Sequence, residues 1–400
     1  MQIREVKDSS DARAFLQLPV RLYRTAQAWI RPLDNDVVSV FDRAKNKSFR
    51  KGDCARWILL DGSGEVIGRV AAFVLEKSVG KGNEQPTGGM GFFECIDDQS
   101  AAFMLFDQCK AWLRDRGMEA MDGPINFGSR EKWWGLLVDG FDQEPNYQCN
   151  YNFPYYARLF EAYGFQVYFN QLTYSRKVME PLSERLAYKA TLLGGDPDYD
   201  FRFLAGRELG MLAEYLHRVY NLAWANRAGN PDLSLQQARL LVKQMKPILD
   251  PHLLWFGFYK GEPISFFISL PEINQIFKHL HGKLNWLGKI KFLWHKARKT
   301  NTKAFGILFG VVPEHQGKGV DGAMIMAARR VYQSDQLPYT DYEMNWIGDF
   351  NPKMIQVVEQ VGARVNKRHI TYRKLFDLSL IHISEPTRLR RISYAVFCLK

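Results

Sequence analysis

The sequence predicts an α/β (α+β) protein built from two consecutive domains. Its 400 residues exceed the usual size of a single domain. Two apolar hairpins, at 55–75 and 253–270, match in spacing and in turn chemistry. The order strand, helix, hairpin, strand, helix, strand, helix, strand occurs twice along the chain. Internal duplication is the simplest explanation of that repetition.

The first copy is predicted over residues 1–178 and is followed by a linker helix at 179–199. Its apolar patterns give a first strand, a helix, a hairpin around an Asp/Gly turn, a further strand, a helix with apolar residues at helical spacing, a short strand, and a closing helix and strand. In order, these segments are Ile3–Val6, Ser10–Ala26, Ala55–Leu60 with Val66–Leu75, Met90–Ile96, Gln99–Arg116, the short strand before Gly123, Tyr155–Tyr163 and Tyr168–Lys177.

The second copy is predicted over residues 200–377 and follows the same order. Its segments are Phe201–Leu204, Leu209–Trp224, the hairpin Leu253–Tyr259 with Ile264–Leu270, Phe305–Val312, Ala323–Tyr332, Tyr342–Ile347, Asn351–Val361 and Ile370–Phe376. Glycines close the helices of both copies, as glycine commonly does at a helix C-terminus.

Composition favours a cytoplasmic globular protein. The chain is 46% hydrophobic, yet no apolar run is long enough to span a bilayer. MQIREVKDSS at the N-terminus has no hydrophobic signal core. The five cysteines show neither CxxC spacing nor a paired framework, which suits a reducing compartment. No metal site is predicted.

The last segment, 378–400, is predicted to be an artefact. LSLIHISEPTRLRRISYAVFCLK resembles the translation of a sequencing adapter, which would place the natural C-terminus outside this sequence. The segment carries four basic residues and one acid, so without it the net charge falls from +11 to +8.

A glycine-rich loop lies at the centre of the second copy. Pro313 ends the strand Phe305–Val312, Gln316–Gly322 forms the loop, and a helix follows. At such a junction, free backbone N–H groups and the positive end of the helix dipole meet in one small space. Glycines let the backbone approach an anion closely. The sequence therefore predicts a phosphate-binding site, although a glycine turn without a ligand remains an alternative.

This loop resembles the pyrophosphate loop of the GNAT acyltransferase superfamily, which reads Arg or Gln, two residues, Gly, one residue, then Gly or Ala. Gln316, Gly319 and Asp321 occupy those positions, and the acid at the third is a departure. Asn351, Met354 and Gly362-Ala363 are similar to a later family helix, in which Val358 replaces the usual tyrosine acid. The resemblance implies two tandem GNAT-like domains, each a mixed, mainly antiparallel sheet flanked by helices.

The resemblance further implies an N-acyltransferase that uses acetyl-CoA or another acyl-CoA. The expected acceptor is a small-molecule or peptide amine, and acetyl transfer is favoured. The residues expected to bind the cofactor are Gly310, Val311, Val312, Gln316, Gly317, Lys318, Gly319, Val320, Asp321, Gly322 and Asn351.

Catalytic candidates lie on the strand that follows the loop and helix. Glu343 and Asn345 are two residues apart and share one face, with Glu343 as base and Asn345 orienting the substrate. A surface acid on a strand end is the alternative for Glu343, and Asn351 is also suited to cap the next helix. His315 is expected to contact phosphate or solvent.

The first copy lacks the glycine loop, because Asp97 and Asp98 stand at the corresponding helix start, where they would repel phosphate. We expect this copy to shape a substrate groove or bind a partner without holding CoA. Aromatic residues around Gly123–Gly128 are suited either to wall a cleft or to pack. A non-catalytic acyl-CoA-binding or scaffold protein is the alternative function, and Val358 and Asp321 favour it.

A basic segment, 276–303, carries aromatic and aliphatic residues but no acid. Its basic residues are Lys278, Lys283, Lys289, Lys291, Lys296, Arg298, Lys299 and Lys303. Three interpretations stay open: an amphipathic helix that covers the core, peripheral contact with an anionic membrane, and nucleic-acid binding. The first is favoured and the last is least favoured.

Overall fold

The computed structural model describes residues 1–75, 85–191, 193, 195–224 and 232–377. The chain divides into two compact units. Unit one contains Met1–Gln171, Phe277–Leu293 and the described residues from Lys367, and unit two contains Leu172–Ile276 and Trp294–Asn366. The repeat boundaries 1–178 and 200–377 stay a prediction. Segment 378–400, predicted to be an artefact, lies outside the described residues.

Unit one is a sheet flanked by helices. Its strands run in the order β1-β2-β3-β4-β5-β13, and β6 pairs with β13. The strands are β1 (Gln2–Glu5), β2 (Gly52–Leu60), β3 (Val66–Leu75), β4 (Thr87–Cys95), β5 (Ala120–Gly123), β6 (Leu136–Asp139) and β13 (Arg364–Leu375). The helices are α1 (Ser9–Leu22), α2 (Asp34–Phe41), α3 (Gln99–Arg114) and α4 (Tyr155–Ala162).

Unit two has the corresponding sheet, in the order β8-β9-β10-β11-β12-β7. The strands are β7 (Gln166–Lys177), β8 (Tyr199–Phe203), β9 (Leu254–Tyr259), β10 (Glu262–Pro271), β11 (Lys303–Val311) and β12 (Asp341–Gly348). The helices are α5 (Glu184–Thr191), α6 (Leu212–Trp224), α7 (Leu235–Met245), α8 (Asn274–Phe277), α10 (Val320–Tyr332) and α11 (Pro352–Gln360). Helix α9 (Trp286–Ala297) begins in unit one and ends in unit two. The predicted fold class, mixed and mainly antiparallel sheets flanked by helices, is confirmed.

Both predicted hairpins are present because their turns supply the required backbone. Gly64 in the β2–β3 turn has φ +83°, while Lys260 and Gly261 in the β9–β10 turn have φ +50° and +81°. Positive φ at the tip lets two strands reverse with matching twist. Antiparallel pairing then runs from Gly52 opposite Leu75 to Leu60 opposite Val66 in unit one.

Each unit contains one parallel strand pair that parts after a few residues. In unit one β4 pairs with β5 only from Thr87 to Gly89, although β4 continues to Cys95. In unit two β11 pairs with β12 only from Lys303 to Gly306, although β11 continues to Val311. In unit two the parting leaves a gap between β11 and β12, whereas in unit one the Ile125 N–H after β5 still donates to the Met90 carbonyl at 2.7 Å.

The final strand of unit one comes from the far end of the chain. β13 pairs antiparallel with β5, placing Tyr372 opposite Gly123. In the same way, β7 from the first half lies beside β12 in unit two. The sequence pattern locates both strands but does not say which sheet each one joins.

Each unit has its own apolar core. α3 packs through a helical stripe that includes Leu105, Phe106, Cys109 and Leu113, as its predicted periodicity indicates. The core of unit two joins α6 and α10 to β9–β12 through residues such as Leu216, Phe256 and Met324. No helix in the described ranges is long and apolar enough to cross a membrane.

His369 makes the stability of unit one depend on pH. Burial is the main cause that lowers its pKa to about 4, and its Nε2 lies 3.0 Å from the Asn150 carbonyl oxygen. A depressed histidine pKa contributes stability above the unfolded value of about 6.5 that is lost as pH falls toward 4. We expect a loss of about 3 kcal/mol across this window, an upper bound for one buried group. Chemical denaturation at pH 7 and pH 4 measures this loss in the free energy of unfolding. In the His369→Gln variant, the difference between the two pH values should be smaller. If the difference in unfolding free energy is unchanged in that variant, other groups cause the pH dependence.

Candidate functional site

The glycine-rich loop is fixed to the end of β11 by hydrogen bonds. The Val312 N–H donates to the Ile264 carbonyl at 2.9 Å, and a single helical turn, Pro313–His315, follows. Gln316 Nε2 donates to the Val311 carbonyl at 2.8 Å. The loop therefore starts from a defined position at the strand end, so Gln316 has a structural role there.

The backbone of the loop has the shape of an anion cradle. Gly317 has φ +76°, and a Cβ at that position would meet nothing within 4 Å. Gly319 has φ +91° and is the N-cap of α10. The first N–H groups of an α-helix have no acceptor within the helix, and they carry the positive end of its dipole. With exposed Lys318 beside them, these groups fit the phosphates of a nucleotide-bearing cofactor.

One residue of the cradle opposes this fit. Asp321 lies in the first turn of α10 and is partly exposed, between buried Val320 and Gly322. An acid at this position stabilises the helix end. Its charge also repels a phosphate bound at the same end. The acid that departs from the expected loop pattern therefore lies at the cradle in the structure as well.

His315 lies against two tyrosines rather than only against solvent. Its Nδ1 is 2.8 Å from Tyr199 Oη, and its ring centroid is 4.9 Å from that of Tyr259. Burial is the main cause that lowers the pKa of His315, and neighbouring Lys318 adds to it. The imidazole is therefore neutral near pH 7 and anchors the loop to β8 and β9.

The strand edge predicted to receive the cofactor lies beside the gap between β11 and β12. On its other edge β11 pairs with β10, with Gly310 opposite Phe266 and Val311 opposite Ser265, and the register shifts once at Ile307. Toward β12, pairing within the described residues ends at Gly306 opposite Met344. Backbone groups of β11 beyond Gly306 therefore face the gap, where an extended ligand has polar atoms to bond.

An apolar pocket lies beside this gap, entirely within unit two. It contains about 760 Å³ of non-atom space, including open solvent. Strands β11 and β12 supply Gly306, Leu308 and Met344, and helix α10 supplies Ala328. Helix α11 contributes Val358, which is fully buried at the position where the family has a tyrosine. A pocket of this size and composition suits a hydrocarbon group.

Glu343 and Asn345 lie on the face of β12 opposite to Met344, as strand alternation requires. Glu343 is 2% exposed, and its Oε1 accepts from Lys303 Nζ and from Asn366 Nδ2, both at 2.8 Å. The sequence suggested a surface acid as the alternative role, but the carboxylate is buried and paired. Asn345 accepts from the Trp346 N–H at 3.0 Å. Their catalytic roles stay a prediction.

Asn351 is the N-cap of α11. Its Oδ1 accepts from the Met354 N–H at 3.2 Å, and the residue is 7% exposed. The capping role considered from the sequence is therefore present. A role in cofactor binding stays a prediction.

Sequence reasoning missed a buried polar cluster on β4 of unit one. Tyr23 and Tyr156 hydroxyls donate to Glu94 Oε2 at 2.5 and 2.8 Å, and Arg69 Nη2 donates to Oε1 at 3.3 Å. Burial, the largest effect, raises the pKa of Glu94 against the opposing pull of Arg69 and the tyrosines. Glu94 lies beyond Gly89, so it stands in the open part of the parallel pair of unit one.

A pocket with aromatic walls adjoins this cluster. It contains about 770 Å³ of non-atom space, including open solvent, and both Arg69 and Glu94 line it. Two of its wall residues, Phe92 and Trp133, have φ of +51° and +45°, which is uncommon for bulky side chains. The aromatic residues noted around Gly123–Gly128 thus contribute to the wall of a cleft in unit one.

Comparison of the sequence with known proteins finds two similar chains of nearly the same length. A bacterial ceramide synthase of Caulobacter vibrioides is 27% identical over 373 residues, covering 92% of this chain and 96% of that one. Protein YghO of Escherichia coli is 25% identical over 391 residues, covering 93% and 95%. No protein-family model matches the sequence.

Comparison of the structure finds proteins with the same arrangement of strands and helices. A tandem GNAT protein from the clavulanic acid biosynthesis pathway aligns with a TM-score of 0.52 at 12% identity, covering 94% of this chain and 98% of that one. The fold is that of tandem GNAT proteins. The GCN5-related glucosamine N-acetyltransferase region of a fungal β-N-acetylglucosaminidase also aligns, with a TM-score of 0.53 at 12% identity, covering 93% of this chain and 38% of that one.

Gly319→Leu should abolish binding of CoA at the cradle. The side chain would occupy the phosphate space, and a residue with a Cβ is strained at φ +91°. Isothermal titration calorimetry with CoA measures the effect. Gly206→Leu is the matched control, because Gly206 also has positive φ, at +54°, with nothing within 4 Å of its Cβ, and lies beyond the far end of β8 from Tyr199. Equal affinity in the two variants would show that the cradle holds no phosphate.

Proposed function

We propose that this protein is an acyl-CoA-dependent N-acyltransferase that binds its donor in unit two and forms an amide on a long-chain amine. One arrangement carries the proposal. The anion cradle at Gly317–Gly319, the gap between β11 and β12, and the apolar pocket adjoin one another within the same unit. Together they match a donor that has phosphates at one end, an extended amide arm, and a hydrocarbon group at the other.

The apolar pocket favours a fatty acyl donor over the acetyl donor suggested by the sequence. An acetyl group would contact only a few of the apolar side chains that line this pocket, whereas a longer chain would contact many of them. The name of the Caulobacter relative points the same way. A ceramide is a fatty acid amide of a long-chain amino alcohol, so its synthesis requires N-acylation. A long-chain amine is therefore the acceptor we propose.

The donor supplies an acyl group activated as a thioester, and the residues of the chain bind and orient it. Backbone N–H groups at Gly317–Gly319 hold the phosphates, and the charge of Lys318 offsets part of theirs. The open edge of β11 beyond Gly306 aligns the extended arm. Glu343 takes the proton that the amine loses as its nitrogen bonds to the acyl carbon. The bond between that carbon and the sulfur of CoA breaks, and the CoA thiolate leaves and takes a proton from solvent. Lys303 Nζ lies 2.8 Å from that carboxylate and fixes its orientation.

Two observations favour the alternative of a non-catalytic acyl-CoA-binding protein. Glu343 is 2% exposed and already paired, and Val358 cannot reprotonate a departing thiolate. Incubation with palmitoyl-CoA and a long-chain amino alcohol separates the two functions. Release of free thiol together with an amide product, detected by mass spectrometry, supports catalysis. Donor binding by calorimetry without thiol release would support the alternative.

Ala328→Phe should shorten the acyl chain that the protein accepts. Ala328 lines the pocket and is 1% exposed, so a ring there would fill space that the chain needs. Loss of room for two methylenes costs about 1.6 kcal/mol, so kcat/KM for palmitoyl-CoA should fall by at least about tenfold. Short acyl-CoAs should be affected much less. Met326→Phe is the control, because Met326 lies on the same helix outside the pocket lining. A parallel loss for all chain lengths would place the acyl chain elsewhere.

Glu343→Gln should lower kcat by about 10² to 10⁴ while donor affinity is retained, if this carboxylate is the base. Lys303→Met is the comparison variant, because it breaks the same ion pair and leaves the carboxylate in place. Thiol release gives kcat, and calorimetry gives donor affinity. If both variants lose melting temperature equally and keep similar kcat, Glu343 serves only to stabilise β12.

A further inference from the structure

Helix α9 exposes its large apolar side chains instead of burying them. Trp286, Leu287, Ile290, Leu293 and Trp294 are 68%, 50%, 56%, 62% and 49% exposed. At 100° per residue, these five side chains fall within an arc of about 120° on one face of the helix. Such a contiguous apolar stripe on a protein surface marks an interaction site.

The opposite face of α9 holds the helix to the protein. Gly288 is buried, and a Cβ there would meet the Lys283 carbonyl oxygen at 2.4 Å. Phe292 is partly buried, and its ring centroid lies 5.9 Å from that of Phe277. Leu284 and His295 are partly buried on the same side. The face of α9 that carries Gly288 and Phe292 therefore packs against the protein, and the apolar stripe faces outward.

Basic side chains border the apolar stripe on both sides. By helical geometry, Lys289 and Lys296 lie along one border and Lys291 along the other. All three are exposed, as are Lys283, Arg298 and Lys299 next to the helix. The segment 276–303 contains no acid. Long basic side chains at the borders of an apolar stripe can place their charges among lipid headgroups while the stripe enters the acyl region.

The interpretation favoured from the sequence, a helix that covers the core with its apolar side, is therefore wrong for α9. Nucleic-acid binding also fits poorly, because a phosphate backbone would meet the basic borders but not a stripe of leucine and isoleucine. The basic charge and the exposed apolar area of α9 together fit an anionic lipid surface.

We propose that α9 docks this protein onto the surface of an anionic lipid bilayer. The apolar stripe inserts at the boundary between headgroups and acyl chains, and the flanking lysines and Arg298 bind the acidic headgroups. This inference does not depend on the proposed acyl transfer, because it rests on the exposed helix alone. It gives the protein a position at the surface where long-chain lipids reside.

Cosedimentation with vesicles tests the proposal on the full chain without any acyl donor. We expect binding to vesicles that contain phosphatidylglycerol, weaker binding as salt is raised, and little binding to pure phosphatidylcholine. Ile290→Asp with Leu293→Asp should lower the affinity for anionic vesicles by at least about tenfold, since two apolar anchors are lost and two acids are added.

Leu222→Asp with Leu240→Asp is the matched control. Both residues are exposed leucines, 50% and 47%, on helices α6 and α7, and the change in charge is the same. Its affinity should stay within about twofold of the unchanged protein, because neither leucine belongs to the apolar stripe of α9. Melting temperatures establish that both variants fold. The proposal fails if the unchanged protein ignores anionic vesicles or if the two double variants bind equally. It fails equally if α9 proves, by sedimentation velocity, to join two copies of the chain that then no longer bind lipid.

Discussion

The candidate site depends on the point at which β11 and β12 stop pairing. Four residues of parallel pairing hold the strands together as far as Gly306 and Met344, and beyond that point each strand needs other partners for its backbone. The gap gives access to polar atoms of β11, and the apolar pocket lies beside it. The pleat of β12 separates the pocket-facing Met344 from Glu343 on the other face. The apolar pocket and the buried carboxylate of Glu343 thus lie on different faces of the sheet.

The elements specified by local chemistry were predictable from the sequence. Asp61–Gly64 and Lys260–Gly261 carry residues that accept positive φ, so both hairpins follow from the turn itself. The cradle at Gly317–Gly319 was likewise visible as a glycine-rich strand–helix junction. Glu94 was not, because its partners Tyr23 and Tyr156 are 71 and 62 residues away and nothing in the strand sequence announces them. The ion pair between Glu343 and Lys303 was hidden for the same reason.

Periodicity shows that a helix has two faces, but it does not show which of them the protein covers. For α3 the apolar stripe is buried, whereas for α9 the apolar stripe is exposed and the helix is attached through Gly288 and Phe292. The absence of a Cβ at Gly288 lets the helix lie close to the Lys283 carbonyl oxygen in the preceding turn. The difference is decided by tertiary packing, which no count of apolar residues in one segment can supply.

The pairing of β13 with β5 can form only after nearly the whole described chain has been translated. About 250 residues separate Gly123 from Tyr372, so the edge of β5 waits while the remainder of the chain is made. At translation rates of about 5–20 residues per second, that wait is roughly 10 to 50 seconds. Until β13 is made, the edge of β5 presents unpaired backbone groups, which can pair with a wrong strand. A protein organised in this way has reason to depend on ribosome-associated chaperones.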